Sequence, residues 1–314
     1  MTIRLSITAF LVAATLLAPI QAVEPDKMIP ADAEFVWSVR PKQLLDSALL
    51  KSQGWDLALK TLLSANETVQ EIMESTGIDP FRDIESLLIS SRGQREKGRF
   101  VIVARGKFNP AKISKTIEKQ GKENGAPVKK FQEEGATLWE MTTPVFPIYA
   151  GFIGKEAVIA SNVKEDIIEC LTGGIRKDPS RELKAALERM TGREAAWMVG
   201  LVTDEAKKEM RGPEGIREFA EKVDSWSATI DMTETIALAM NLHAPDGGAA
   251  NTLRKTIEDR FFPFLKNQSR NRGNEKNEKK LESVLDVVKI ETKGSSLSIK
   301  AKIDEPLIKK LMEN

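Results

Sequence analysis

A repeat at a fixed spacing is the feature that most constrains this chain. SKTIEK occupies residues 114–119 and RKTIED occupies residues 254–259, 140 positions further on. The same spacing aligns residues 154–171 with residues 294–311: a glycine opens both stretches, and the apolar positions that follow coincide. Self-similarity at one spacing indicates that the same structural unit occurs twice. We therefore predict a duplicated body.

Each half is expected to contain the same kinds of elements. The glycines at positions 154 and 294 each separate two strand-like runs, the pattern of a β-hairpin. Apolar residues at helical spacing follow each hairpin. This order predicts an α+β fold with two related halves of mostly antiparallel sheet and helices packed on one face. An additional helical insertion is expected near residues 55–78.

The boundary between the halves is predicted within residues 171–183, LTGGIRKDPSREL, where glycines end one helix and Pro179 precedes the next. The first repeat then covers residues 23–175 and the second covers residues 176–314. Residues 266–280, KNQSRNRGNEKNEKK, contain no aliphatic or aromatic side chain to bury. A mobile polar loop is therefore expected there.

The amino terminus has the pattern of a secretory signal peptide. Arg4 precedes an apolar run from Leu5 to Ile20, and the small residue Ala22 precedes Val23. We predict cleavage between Ala22 and Val23. An uncleaved anchor is the alternative, although the run is shorter than the roughly 20 residues that cross a bilayer. After removal of residues 1–22, no membrane span is expected, and the protein would be periplasmic or secreted.

Charge and cysteine content narrow the functional classes. The chain has 47 Lys and Arg against 46 Asp and Glu, and removing Arg4 with the signal peptide makes the two counts equal. A nucleic-acid binder would carry excess positive charge, so no nucleic acid is expected as a partner. Cys170 is the single cysteine and cannot form a disulfide within the chain. We interpret it as a buried structural thiol.

Catalytic patterns are few. His243 is the single histidine, and no G-x-S-x-G is present, so a serine triad or a zinc site is not predicted. Ser161 and Lys164 fit the spacing S-x-x-K, but helix capping by Ser161 or Asn162 explains SNVK better. Neither a catalytic residue nor a cofactor or metal site is predicted.

The carboxylates leave one catalytic alternative open, a hydrolase that uses two acids. The tryptophans indicate core packing instead, because most of them fall in predicted strands. These are Trp37, Trp139, Trp197 and Trp226, with Trp55 at the start of a predicted helix.

Three stretches resemble a group of bacterial secreted proteins of unknown function: residues 28–50, 77–90 and 104–113. In that group, an I-D-P-F-x-D-I segment leads into a strand, and a G-x-F-N/D-P turn leads from a strand to a helix. The resemblance covers most of residues 28–175. It implies a signal peptide and a duplicated α+β body, and it assigns no functional residue.

These observations lead to a hypothesis of an exported, non-catalytic protein that binds or scaffolds an envelope protein. The first alternative is a carrier that holds an apolar small molecule between sheet and helices. A carboxylate-dependent hydrolase is the second.

Overall fold

A computed structural model describes residues 26–55, 57–58, 61, 70, 73, 78–79, 81–93, 98–123, 128–143, 145–173, 178–209, 221–271 and 275–312. The predicted signal peptide with its cleavage site at Ala22 and Val23, and most of the insertion expected near residues 55–78, lie outside these residues. Among the helices of the described ranges, none is both long and apolar enough to cross a membrane.

A twelve-stranded antiparallel sheet joins both halves of the chain, in the order β11-β12-β10-β9-β8-β1-β2-β3-β7-β6-β5-β4. The predicted α+β class with a mostly antiparallel sheet is confirmed. The strands are β1 Phe35–Val39, β2 Ile84–Arg92, β3 Arg99–Gly106, β4 Val128–Glu133, β5 Ala136–Thr142, β6 Pro147–Ile153, β7 Ala157–Ser161, β8 Ala196–Leu201, β9 Ser225–Met232, β10 Ile236–His243, β11 Val288–Lys293 and β12 Ser296–Ile303.

The strand order is symmetric about the pair β1 and β8, which run antiparallel with Val36 opposite Val199. Moving outward, β2, β3, β7 and β6 on one side correspond to β9, β10, β12 and β11 on the other. The hairpin of β4 and β5 extends the first side and has no counterpart strand pair in the described part of the second. This order agrees with the proposed duplication, which stays a prediction.

The two hairpins predicted from glycine are present. Gly154 joins β6 to β7 and Gly294 joins β11 to β12, and each has φ of 57°. This left-handed conformation is open to glycine at little cost. The sequence therefore places the same turn at both positions.

Helices connect and cover the strands. Asn109 caps one of them, accepting a hydrogen bond from the Lys112 N–H at 3.1 Å. Within the described ranges, the helices are α1 Pro41–Leu45, α2 Ala48–Ser52, α3 Pro110–Glu123, α4 Lys164–Thr172, α5 Arg181–Leu187, α6 Asp204–Glu209, α7 Gly247–Thr256, a π-helical segment Ile257–Phe261, α8 Phe262–Asn271, α9 Glu275–Leu285 and α10 Glu305–Met312.

Two apolar clusters lie on opposite faces of the sheet. Val36 and Val199 belong to the first cluster, and their face continues through Ser227 to Asn241 on β10. Leu242, the next residue, points to the opposite face and belongs to the second cluster. Helices α4 and α5 supply residues to the first cluster and α7 to the second. Helices therefore pack against the sheet on both of its faces, and the first cluster also contains residues from the start of the second half, such as Leu183 and Val199.

The polar stretch 266–280 is helical where the structure describes it, so the prediction of a loop there is wrong. Residues 266–271 belong to α8 and residues 275–280 belong to α9. Lys, Glu, Gln and Arg have high helix propensity, and apolar residues at the outer ends of this stretch supply the packing. The lack of apolar residues in this stretch therefore does not by itself predict a loop.

Candidate functional site

An ion-pair cluster around the buried Asp166 fixes one end of α4. The guanidinium of Arg99 on β3 donates from Nε to Asp166 Oδ2 at 2.8 Å and also contacts Asp166 Oδ1. Its Nη1 lies 3.1 Å from Asp32 Oδ2, and Arg92 Nη1 lies 2.9 Å from the same oxygen. Asp166 is fully buried. The cluster ties the segment before β1 to β2, β3 and α4.

The electrostatics of this cluster keep its groups charged. Burial alone would raise the pKa of Asp32, but the hydrogen bond from Arg92 and the positive charge of Arg99 lower it. Hydrogen bonding to Asp166 raises the pKa of Arg99. Because each charged group has a partner of opposite charge, we interpret the cluster as structural: it joins β2, β3 and α4.

The structure separates the two residues of the S-x-x-K pattern. Ser161 Oγ donates to the Phe100 carbonyl at 2.7 Å and accepts from the Val163 N–H at 3.0 Å. Lys164 Nζ instead lies 2.6 Å from Glu133 Oε2. The predicted capping is also corrected: Val163 is the N-cap residue of α4, and it makes no side-chain cap bond.

Asn162 links strands rather than capping the helix. Its Oδ1 accepts from the Phe100 N–H at 3.0 Å, and its Nδ2 donates to the Gly98 carbonyl at 2.9 Å. The SNVK segment therefore fastens the start of β3 to the turn that enters α4.

His243 ends β10 and is 9% exposed. Its Nδ1 lies 2.9 Å from Ser296 Oγ, while its Nε2 is buried without a hydrogen bond in the described part of the chain. Burial, together with the positive charge of Arg189, lowers the pKa of His243 to about 4. Within the described ranges, no group of three or more His, Cys, Asp or Glu could hold a metal ion.

Three of the five tryptophans and Cys170 lie in or beside the core. Trp139 and Trp197 are buried in β5 and β8. Trp226 on β9 packs against the second cluster. Cys170 in α4 is partly buried against the first cluster and forms no disulfide.

A cleft opens where α4 begins, beside strands β4 to β6. We call it the α4 cleft. Its volume is about 480 Å³. It lies on the face of the first cluster, because Phe131 is opposite Leu138, a buried member of that cluster. The lining residues are Phe131, Glu133, Glu140, Tyr149, Asn162, Val163, Lys164 and Glu165.

The walls of the α4 cleft combine aromatic rings and carboxylates around one ammonium group. Lys164 Nζ lies 5.7 Å from the ring centroid of Phe131 and bonds Glu133, which raises the pKa of Lys164. Glu140 and Tyr149 face each other across β5 and β6. Burial raises the pKa of Tyr149, and the negative charge of Glu140 adds to the effect.

A second exposed feature lies at the junction of α7 and α8. The π-helical segment places the Phe262 N–H on the Ile257 carbonyl, five residues back. Ile257 is buried, and Phe262 continues its inward face against the second cluster. Phe261, which a regular α-helix would align with Ile257, is 49% exposed, and Phe264 is 57% exposed. We call Phe261 and Phe264 the phenylalanine pair.

Pro263 gives a physical reason for the wide turn. A proline inside a helix has no N–H to donate, and its ring crowds the carbonyl four residues earlier, here that of Asp259. Inserting one residue into the turn relieves this conflict. The wide turn was not predicted, although FFPF at residues 261–264 is the local pattern that accompanies it.

Comparison with known proteins gives a fold relationship. No family model and no curated protein matches the chain. Crystal form IV of TP0453 is similar with a TM-score of 0.51 and 10% identity, covering 94% of this chain and 98% of that one. Form III gives 0.48 and 9%, covering 93% and 98%. Form I gives 0.47 and 9%, covering 93% and 99%. The likeness to form IV shows a shared fold.

Proposed function

We propose that this protein is an exported, non-catalytic binding protein that docks a partner protein of the cell envelope through the phenylalanine pair. The exposure of Phe261 and Phe264 is the observation that carries the proposal. Export is supported by the signal-like pattern of residues 1–22.

Exposed apolar residues are common on protein surfaces, so their setting matters. Phe261 and Phe264 are three positions apart in a continuous helical segment, a spacing that puts both on one side. Because of the π turn, Phe261 points to solvent, and Phe262 instead packs against the second cluster. Departures of this kind from regular helix are frequent at functional sites.

The geometry fits a helix that inserts aromatic anchors into a groove of a partner. Such recognition uses residues at i, i+3 and i+4 of one helix face. Burying a phenylalanine side chain stabilises a complex by about 1.5–3 kcal/mol. Aromatic residues at the centre of an interface dominate the binding energy.

A photo-reactive phenylalanine analogue placed at position 264 in the native host tests the proposal. Val145 is the matched control position, because it is also exposed, at 71%, and lies in the turn between β5 and β6. We expect one discrete polypeptide adduct at position 264 that is absent at position 145 and is lost when Phe261→Ser is added. Identical adducts at both positions, or adducts with lipid alone, would refute a protein partner.

A further inference from the structure

The α4 cleft already holds an ammonium group, that of Lys164. This group contacts Glu133 Oε2 at 2.6 Å and lies 5.7 Å from the ring centroid of Phe131. A charge-assisted hydrogen bond to a carboxylate and a cation–π contact are the two interactions by which proteins recognise alkylammonium ions. The contacts of Lys164 therefore show how an ammonium group can bind at this wall of the cleft.

The walls carry more negative charge than the single positive charge of Lys164 neutralises. Glu140 has a side chain that is 24% exposed, and Lys129 Nζ approaches it no closer than 4.0 Å. That lysine side chain is 68% exposed and lies at the rim. Glu165 is exposed at the first turn of α4. The lining itself thus carries three carboxylates and one ammonium group.

The shape of the α4 cleft suits a short carbon chain beside that charge. Phe131 and Tyr149 form its apolar wall and pack against the first cluster, which fixes their positions. A volume of about 480 Å³ lies within the range of small-ligand sites. We propose that the cleft binds a primary alkylammonium group, with its charge between Glu140 and Glu165 and its carbon chain against the two rings.

Two sources could present this group, a free small amine or the lysine side chain of a peptide. An anionic ligand is the opposite possibility, because the N-terminus of a helix favours negative charge. Here the first turn of α4 already contains Glu165 and Asp166. Asp166 is paired with Arg99, and the lining carboxylates Glu133, Glu140 and Glu165 outnumber the one ammonium group of the cleft, so its charge favours a cation.

Titration calorimetry with the chain purified after removal of residues 1–22 tests this site. The probes are 1-pentylamine, the amide of Nα-acetyl-lysine, and 1-pentanol as the neutral analogue of 1-pentylamine. We expect one or both amines to bind and 1-pentanol to bind at least about tenfold more weakly, because it lacks the charge. Tighter binding of 1-pentylamine would identify a free amine as the source, and tighter binding of the lysine derivative would identify a peptide.

Matched glutamate variants locate the site. Glu140→Gln should weaken amine binding about tenfold, since it removes the charge and keeps the shape. Glu291→Gln is the control, because Glu291 lies on the opposite edge strand, β11, with Lys300 at 3.4 Å. Equal effects of the two substitutions, or no binding of either amine, would overturn the proposal.

Lys164→Gln decides the sign of the ligand's charge. The substitution frees Glu133, so amine binding should tighten about threefold through the released carboxylate. An anion site would instead lose affinity with the lysine, and inorganic phosphate is the probe for it. Phosphate binding to the unsubstituted chain that Lys164→Gln abolishes would refute an amine site, whatever the outcome of the crosslinking experiment at position 264.

Discussion

Arg99 and Asp166, which are 67 residues apart in sequence, form the most buried ion pair among those described, with Nε to Oδ2 at 2.8 Å and an Asp166 side chain that is fully buried. The pair joins β3 to α4. Because α4 also carries Lys164 and Glu165 into the α4 cleft, the ion pair positions the wall of that site.

Breaking this pair should be costly. Asp166→Asn removes the buried counter-charge of Arg99, which among the described residues keeps only its contact with Asp32. Loss of one partner of a buried pair lowers the free energy of unfolding by about 3 kcal/mol. Asp178→Asn is the control, because Asp178 pairs with Lys184 at the surface and should change it by less than about 0.5 kcal/mol. Urea denaturation measures both. Equal effects would show that Asp166 contributes no more than a surface charge.

His243 should make the protein less stable in mild acid. Its pKa is about 4 in the folded chain and 6.5 without the fold, so the unfolded chain binds the proton more readily. The free energy of unfolding should be unaffected by this group above about pH 7 and fall by about 3 kcal/mol as the pH drops to 4. Arg189 disfavours the added charge, and Ser296 faces the ring at Nδ1.

His243→Gln isolates that contribution, because other groups titrate in the same range. Between pH 7.5 and pH 4, the unsubstituted protein should lose about 3 kcal/mol more of its free energy of unfolding than the His243→Gln variant. An identical pH dependence of the two proteins would show that His243 is protonated without cost in the fold.

The local elements could be predicted from the sequence because their signals are local. Alternating apolar residues around a glycine identified the hairpins at positions 154 and 294. The pairing of β1 with β8 joins strands about 160 residues apart, and no local pattern encodes it. The hairpin partner β4, with the sequence VKKFQE, was missed because charged residues are poor strand signals.

The candidate sites were less predictable than the strands. Lys164 was noticed for its spacing from Ser161, yet its partners are Glu133 and Phe131, on another hairpin. Tyr149 and Glu140 lie opposite each other only because of the register of β5 with β6. The α4 cleft brings together side chains from β4, β5, β6 and the start of α4. A pattern along any one of these segments does not show that they meet.

The two hairpin glycines offer a matched test of the repeat. Gly154→Ala and Gly294→Ala both force a left-handed alanine, and no other atom lies within 4 Å of the added carbon at either turn. Each should lower the free energy of unfolding by about 1 kcal/mol, and the double variant should show the sum. Denaturant unfolding of the three variants checks this. Unequal costs would mean that the turns are held by different surroundings.

Gly200→Ala should cost more for a different reason. Its added carbon would lie 2.6 Å from Trp226 Nε1, so the indole ring has to move. Overpacking of this kind lowers the free energy of unfolding by about 1–3 kcal/mol. The fluorescence spectrum of the folded variant should also shift with the ring. An unshifted spectrum and an unchanged denaturation midpoint would indicate that the ring has free space behind it.

The register set by the π-helical segment predicts opposite behaviour for neighbouring phenylalanines. Phe262→Ser removes a ring that packs against the second cluster and should lower the free energy of unfolding by about 2 kcal/mol or more. Phe261→Ser and Phe264→Ser remove exposed rings and should each change it by less than about 0.5 kcal/mol. Thermal and urea unfolding of the three variants measure the difference. A large loss at position 261 would place that ring in the core, and the phenylalanine pair would then be unavailable to a partner.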